Sequence, residues 1–300
     1  MKKKRLLAVF AAFALAATMA IGFTACEDKE ENVEPDNSIT DNTENENNEN
    51  IGEGSVLTET EWKKAIADSL AATSYTIMST ENMIRKFGKT DTYDENGELI
   101  PMSKYVIERE INGKYDGVNG VAYFYQFYIN LGYSDGSLVD SYERINENYL
   151  EIFDLQVIFY DSKSDGAWSK TARSFSTHDE IEEGLMEVGI ISSLFGASYK
   201  IPGTNDAKTI DKLFNQFTYD KNTNAYSANL IVVAKNGAES REMTFTLKFA
   251  NGKLYSYEMG YAEEEGDTIV TDCITYVFSD YNSVTVNIPQ EVKDSLDDIE

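Results

Sequence analysis

The chain has 300 residues, of which 42% are hydrophobic and 12% aromatic, so it is long enough to bury a core. Its formal net charge at pH 7 is -26. Binding to nucleic acid or to anionic lipid headgroups depends on clustered Lys and Arg, so this charge argues against both partners for the globular part. The excess of carboxylates is interpreted as a soluble surface.

The first 26 residues follow the three-part plan of a secretory signal. A basic start at residues 2–5 precedes an apolar run over residues 6–23. The segment Phe23-Thr24-Ala25-Cys26 resembles the bacterial lipobox. The resemblance implies that Cys26 is the lipid-acceptor residue, carrying a diacylglyceryl thioether and acyl chains such as palmitate, and that the mature chain is anchored at the extracytoplasmic face of the cell membrane. An uncleaved membrane span is the alternative, because the apolar run is nearly long enough to cross a bilayer.

Residues 27–54 are predicted to be an acidic disordered linker. They contain eleven carboxylates, one lysine and few large apolar residues, so they cannot bury enough surface to offset the entropy of ordering. Residues 55–300 are predicted to be a single β-rich domain. The chain has two cysteines, Cys26 and Cys273, so lipidation of the first leaves the second without an intrachain disulfide partner.

The first half of the domain is predicted to be a helix followed by antiparallel strands. Thr58-Glu59-Thr60-Glu61 is a capping box, and the helix it begins is expected to end near Ala72. A turn is expected at residues 94–97, and residues 112–113 are expected to end a strand. Extended structure is predicted over residues 74–87, 104–111, 121–131, 149–161 and 168–175.

The second half is predicted to be two helices followed by a β meander. Thr177-His178-Asp179-Glu180 is a second capping box, with a helix to about Gly196, and a shorter helix is predicted over residues 207–214. Hairpin turns are predicted at residues 220–224, 236–237, 251–252 and 265–267, and final strands at residues 273–279 and 284–288. Two alternating apolar stripes are typical of half-buried strands: Met243, Phe245, Leu247, Phe249, and Tyr255, Tyr257, Met259, Tyr261. The fold class is therefore α+β, with helices packed on one face of a large antiparallel sheet.

Few side chains suit nucleophilic chemistry. His178, the only histidine, falls in the first turn of a predicted helix, where the helix dipole disfavours an imidazolium. Cys273 is predicted to be a small core residue of a strand. We therefore predict no catalytic residue, although a pair of carboxylates acting on cell-wall sugars stays open as an alternative, since sequence gives no distances.

Metal binding is also not expected. Asp220, Asn222 and Asn224 copy the start of a calcium loop, but Ala225 and Ile231 stand where that loop needs Gly and Glu, so a hairpin turn is favoured. The segment at residues 161–166 departs from the pattern in the same way. Neither a metal site nor a cofactor is predicted.

The C-terminal part resembles a known family. The segments at residues 276–281, 284–289 and 214–220 are similar to those of LolA/LppX-like lipoproteins, and the resemblance extends as a pattern over residues 58–290. It implies a strongly curved antiparallel sheet that forms a half-open barrel, with helices on one face and a cavity for acyl chains between them. The residues predicted to contact such a ligand are Tyr123, Tyr125, Phe127, Tyr255, Tyr257 and Met259.

Three functions remain open on the sequence. The first is a non-enzymatic, monomeric lipoprotein that holds a lipid or acyl chain in this cavity. The second is an envelope interaction or structural lipoprotein, in which the aromatic residues simply pack the sheet against the helices and leave no cavity. The third is the carboxylate-pair hydrolase.

Overall fold

The computed structural model describes residues 56–93, 99–162, 167–177, 186–234 and 237–294. These residues form one large antiparallel sheet with few helices, which confirms the predicted β-rich architecture. The α-helices are α1 (Glu59–Leu70), α2 (Met186–Gly196) and α3 (Gln290–Asp294). The strands of the described part are β1 (Ser74–Tyr93), β2 (Leu99–Asp116), β3 (Val121–Ser134), β4 (Ser137–Phe153), β5 (Gln156–Ser162), β6 (Trp168–Ser174), β7 (Ser198–Lys200), β8 (Ala207–Lys208), β9 (Thr218–Asp220), β10 (Ala225–Val233), β11 (Glu239–Ala250), β12 (Lys253–Glu265) and β13 (Thr268–Ser279).

The sheet consists of two meanders joined at its centre. Strands β1 to β6 follow one another across one half, and β10 to β13 cross the other half in the reverse direction. The two halves meet where residues 76–86 of β1 pair with residues 269–279 of β13. Strands β7 and β8 extend the sheet beyond β10, and β9 pairs with β10 off the main path.

Helix α1 begins at the predicted capping box. The Thr58 hydroxyl accepts a hydrogen bond from the Glu61 backbone N–H at 3.3 Å, and the Glu61 carboxylate accepts one from the Thr58 N–H at 2.7 Å. The helix contacts β12 and α2. Its Trp62 side chain is fully buried and lies against Tyr226 of β10 and Phe249 of β11.

One face of the sheet carries most of the buried side chains. We call the face with Ile77, Phe245 and Tyr257 the core face, and the opposite one the outer face. The predicted alternation in β11 is confirmed, because Met243, Phe245 and Leu247 are buried while the residues between them are not. The core also contains buried apolar residues of helix α2, which are Ile190, Ile191, Leu194 and Phe195.

The predicted extended stretch at residues 149–161 is in fact the end of β4 and most of β5, with a tight turn between them. Asp154 in this turn has a positive φ of 50°. The first part of β4 was not predicted, because residues such as Asp140 and Asn146 have low β propensity. Its start is nevertheless marked by Asp135-Gly136, where φ values of 47° and 85° form the turn from β3.

Strand β2 continues through residues 112–113, where the sequence predicted its end. Gly113 pairs with Phe124 of β3, and a Cβ at Gly113 would lie 2.5 Å from Phe124 Cδ1 and 2.8 Å from Ile77 Cγ2. The glycine is required by close packing within the sheet, and the chain turns only at residues 117–120.

Two further elements differ from the prediction. The expected helix at residues 207–214 is strand β8 followed by two short 3₁₀ turns, at Ile210–Lys212 and Phe214–Gln216. Residues 284–288 are not a strand, because they cross the outer face instead of pairing at an edge. The Val286 N–H donates to the Asp116 carboxylate at 3.2 Å, and Lys293 of α3 contacts Glu151 at 2.9 Å.

The hairpin turns at residues 220–224, 251–252 and 265–267 are confirmed. Asn251 and Gly252 have φ values of 50° and 69°, as a two-residue hairpin turn requires. The predicted turn at residues 94–97, residue 236, the capping box at residues 178–180, the signal segment and the linker lie outside the described residues. Within the described ranges, none of the helices is both long and apolar enough to span a bilayer.

We predict that Gly113→Ala lowers the free energy of unfolding by about 1 to 3 kcal/mol, because the new methyl group would overlap Phe124 and Ile77. Urea unfolding followed by circular dichroism measures this change. Gly196→Ala is the matched control, since no atom lies within 4 Å of its added Cβ. Recovery of stability in the double variant with Phe124→Leu is also expected, and a failure to recover would contradict the steric explanation.

Candidate functional site

The six residues predicted to bind a ligand do not share one face of the sheet. A row of directly paired residues crosses five strands, and paired residues in an antiparallel sheet point to the same side. This row consists of Tyr257, Tyr276, Ser79, Ile111 and Gln126. Because side chains alternate along β3, Tyr125 and Phe127 point away from the face on which Tyr257 lies.

Tyr257 and Met259 lie in the core. Both are buried, and the Tyr257 hydroxyl lies 3.0 Å from the Met259 sulfur. The Tyr257 ring stacks with Tyr276 at a centroid distance of 5.9 Å and with Phe245 at 6.0 Å. Burial raises the pKa of Tyr257 well above its usual value. These contacts are those of a packed interior.

Tyr255 departs from its predicted stripe. A register shift between β11 and β12 turns it outward, and 45% of its side-chain surface is exposed. Leu254 occupies the core in its place, and its backbone N–H donates to the Ser69 hydroxyl of α1 at 2.8 Å.

Tyr123, Tyr125 and Phe127 are half-buried on the outer face. The Tyr123 ring lies 4.9 Å from that of Tyr149, which lies 5.7 Å from Trp168. Desolvation, followed by the neighbouring Glu147 carboxylate, raises the pKa of Tyr123 to about 12. This aromatic group is separated from Tyr257 by the thickness of the sheet, and ligand binding by either group stays a prediction.

A pocket lies on the core face of strands β2, β3 and β4. Its volume is about 230 Å³, and it is lined by Arg109, Gln126, Tyr128, Tyr142, Arg144 and Asn146. Arg109, Tyr128 and Arg144 are directly paired neighbours on three adjacent strands, and Gln126 pairs with Asn146 one step along. The sheet ladder therefore sets the arrangement of the lining residues.

The pocket residues were not predicted from the sequence. Arg144, Tyr142 and Asn146 belong to the first part of β4, which the sequence does not predict to be a strand. The signal that could have found them is the turn at Asp135-Gly136, which begins a strand whose alternate residues face the same side as Tyr128.

The side chains of Arg109 and Arg144 each contact a neighbouring polar or charged group. An Arg109 guanidinium nitrogen lies 4.0 Å from the Glu81 carboxylate, and Arg144 Nε donates to the Asn146 side-chain oxygen at 3.0 Å. Burial raises the pKa of Glu81, and the charge of Arg109 opposes that rise. The Tyr128 ring meets Tyr142 edge-on at 6.1 Å.

Several polar atoms on the core face are buried without a well-formed hydrogen bond. They include both carboxylate oxygens of Asp272 and the side-chain oxygens of Asn130 and Asn148. Asp272 pairs with Met83 on β1, two residue pairs beyond Glu81 and on the same face. Burial, with a smaller contribution from the Glu81 charge, raises the pKa of Asp272 to about 8. Asp272 is therefore mainly protonated at neutral pH.

The other candidate residues contribute no chemistry to this pocket. Cys273 is half-buried on the outer face, 4.0 Å from the Thr275 hydroxyl, so its predicted place in the core is wrong, because the core face takes its neighbours Asp272 and Ile274. The calcium-like segment is the predicted hairpin turn, in which Asp220 accepts a hydrogen bond from the Asn222 N–H at 2.9 Å.

Cys26 and His178 lie outside the described residues, as does the greater part of the segment at residues 161–166. Among the residues that the structure does describe, no three or more His, Cys, Asp or Glu side chains are grouped as a metal site would need.

Comparison with solved structures gives a structural likeness but no family. No protein-family model and no curated protein matches the chain. A β-barrel-like protein from Brucella abortus, a domain of unknown function, is similar over 70% of this chain and 100% of its own, with 11% sequence identity and a TM-score of 0.25.

We predict that Asp272→Asn removes a pH dependence of stability. The folded-state pKa of Asp272 is raised to about 8 from about 3.9 in the unfolded chain, so the folded state binds more protons between these values and its stability falls as pH rises through them. At pH 8 the variant should be more stable than the parent chain by about 2 kcal/mol or more.

Urea unfolding at pH 5, 6.5 and 8 measures this effect. Asp267→Asn, at an exposed hairpin turn, is the control and should keep the slope of the parent chain. Parallel stability curves for the parent chain and Asp272→Asn would show that Asp272 is not the responsible group.

Proposed function

We propose that the protein is an extracytoplasmic lipoprotein, anchored through acyl chains on Cys26, which binds a ligand without chemical conversion. In this proposal the sheet curves as a half-open barrel, the helices cover one part of its core face, and the ligand lies in the uncovered part at strands β2 to β4. The single observation that carries the proposal is the change along one row of paired residues from buried apolar to accessible polar side chains.

That row includes Met259, which is buried in the core, and continues through Ile274 and Glu81 to Arg109, Tyr128 and Arg144. The side chains on the core face thus change from apolar to polar while the pairing of the strands continues without interruption. Apolar side chains near α1 are withdrawn from water, while polar side chains at β2 to β4 line the pocket. A concave surface with convergent polar groups is the usual form of a ligand site.

The region beneath helix α1 favours a filled core over a cavity for acyl chains. Trp62 and Phe245 are fully buried, and Trp62 packs at 5.0 to 5.6 Å from four aromatic rings. The Trp62 indole N–H also donates to the Ile210 carbonyl at 3.3 Å. We therefore assign the ligand to the polar pocket and not to the space between sheet and helices.

A second candidate function is contact with another envelope protein through the outer face. There the half-buried Tyr125 and Phe127 lie on β3, and Ile145, which pairs with Phe127, has 54% of its side chain exposed. Leu138 is exposed to the same extent near the start of β4. Apolar side chains grouped on one exposed surface are typical of interaction sites.

The anchor is tested by metabolic labelling in a bacterial host with an alkyne-bearing palmitate. We expect the parent chain to incorporate the label and to have Cys26 as its mature N-terminus by mass spectrometry. Cys26→Ala should take up no label and should retain residues 1–25. A parent chain that keeps residues 1–25 and takes up no label would instead show an uncleaved membrane span.

The binding site is tested by native mass spectrometry of the full chain purified from membranes in an uncharged detergent. We expect a bound small molecule in the parent chain and its loss in Tyr142→Ala, because Tyr142 lines the pocket. Tyr255→Ala is the matched control, since Tyr255 is comparably exposed but outside the pocket. Equal occupancy in both variants, or an empty parent chain after exposure to envelope extract, would contradict the proposal.

A further inference from the structure

The charge of the pocket lining is opposite to that of the chain. The sequence has 52 Asp and Glu residues against 26 Lys and Arg, yet the charged residues that line the pocket are Arg109 and Arg144. Two like charges on either side of one intervening strand repel each other, and that repulsion is relieved by an anion placed between them. The composition of the lining thus differs from that of an ordinary stretch of this surface.

The two guanidinium groups lie on either side of one aromatic ring. Arg109 on β2 and Arg144 on β4 both pair with Tyr128 on β3, so their backbones are two strand spacings apart, or roughly 10 Å. Long side chains from such positions can converge on one small group above the ring. Guanidinium groups bind carboxylate and phosphate oxygens through paired hydrogen bonds.

Two carboxylates lie close to the arginines of the pocket, and the state of each affects how an anion would bind. The Glu81 carboxylate is 4.0 Å from Arg109. On the other side, burial raises the pKa of Asp161 on β5, and the charges of Arg173 and Arg144 oppose that rise. Each arginine thus faces one carboxylate, and because burial raises the pKa of both carboxylates, they present less negative charge to an anion than exposed carboxylates would.

Building on the function proposed above, we infer that the pocket recognises a small ligand that carries a carboxylate or phosphate group. The anionic group lies between Arg109 and Arg144, and the body of the ligand lies against the rings of Tyr128 and Tyr142. Gln126 and Asn146 supply amide groups for its remaining polar atoms. A volume of about 230 Å³ is below the range of about 300 to 1,000 Å³ of drug-sized sites, which suits a ligand of the size of one sugar ring.

The test uses three probes that share one ring and differ in charge: glucuronate, glucose 6-phosphate and glucose. They are titrated into the full chain in an uncharged detergent, and binding is followed by isothermal titration calorimetry. We expect one or both anionic probes to bind at least tenfold more tightly than glucose, with affinity falling as salt is raised. The comparison of glucuronate with glucose 6-phosphate distinguishes a carboxylate site from a phosphate site.

The variants Arg109→Gln and Arg144→Gln should each weaken binding of the preferred anion at least tenfold. Arg109→Lys keeps the charge but not the planar guanidinium group, so it should weaken binding of this anion less than Arg109→Gln does. Arg241→Gln is the matched control, because Arg241 contacts Glu263 and the Tyr261 ring in another part of the sheet and should leave affinity unchanged. Thermal unfolding of each variant identifies any loss of fold, and the three-probe comparison on the parent chain requires no variant.

The failure of this inference can be told apart from the failure of the proposed function. Tight binding of a neutral molecule that depends on Tyr142 but not on either arginine would overturn the anion assignment and leave the binding function in place. If the parent chain binds neither anionic probe more tightly than glucose, the inference is also overturned. An empty pocket in native mass spectrometry together with no response to any probe would overturn both.

Discussion

The pairing of β1 with β13 is the constraint on which the rest of the structure depends. It joins residues 76–86 to residues 269–279, nearly the whole length of the domain apart, and so makes one sheet from two meanders. Closing so long a loop costs conformational entropy, which the eleven residue pairs of this ladder and the core beside it must offset. Its register also decides which residues of the two halves share a face. A shift of one residue would place Tyr125, not Gln126, on the side of Tyr257.

The helices account for the division of the core face. Helices α1 and α2 have 12 and 11 residues, so each is roughly 17 Å long, and such short elements cannot cover a sheet of this width. Trp62 of α1 and Phe245 of β11 are withdrawn from water, and this burial stabilises the fold. Farther along the same rows the side chains become polar. Asp272, buried on this face without a well-formed hydrogen bond, is a cost to stability.

The sequence predicts the parts of the fold that depend on neighbouring residues. The capping box at Thr58, the hairpin at Asn251-Gly252 and the alternating stripe of β11 each form locally, and the structure confirms them. The errors arise where distant contacts override local preference. Residues 112–113 are predicted to be a turn, but Phe124 from the next strand covers Gly113. The polar first part of β4 forms because β3 pairs with it over residues 137–146.

The candidate site was beyond prediction for a related reason. Its definition needs the registers of β2, β3 and β4 together, and sequence periodicity shows which residues of one strand share a face but not which faces of separate strands coincide. Tyr125 and Tyr257 were thus predicted to line one apolar cavity, although the strand pairing places them on opposite faces of the sheet. The arginines gave no periodic signal, because a single charged residue in a strand is ordinarily a solvated one. Only the pairing of Arg109 and Arg144 with the same tyrosine distinguishes them, and this relation appears first in the folded sheet.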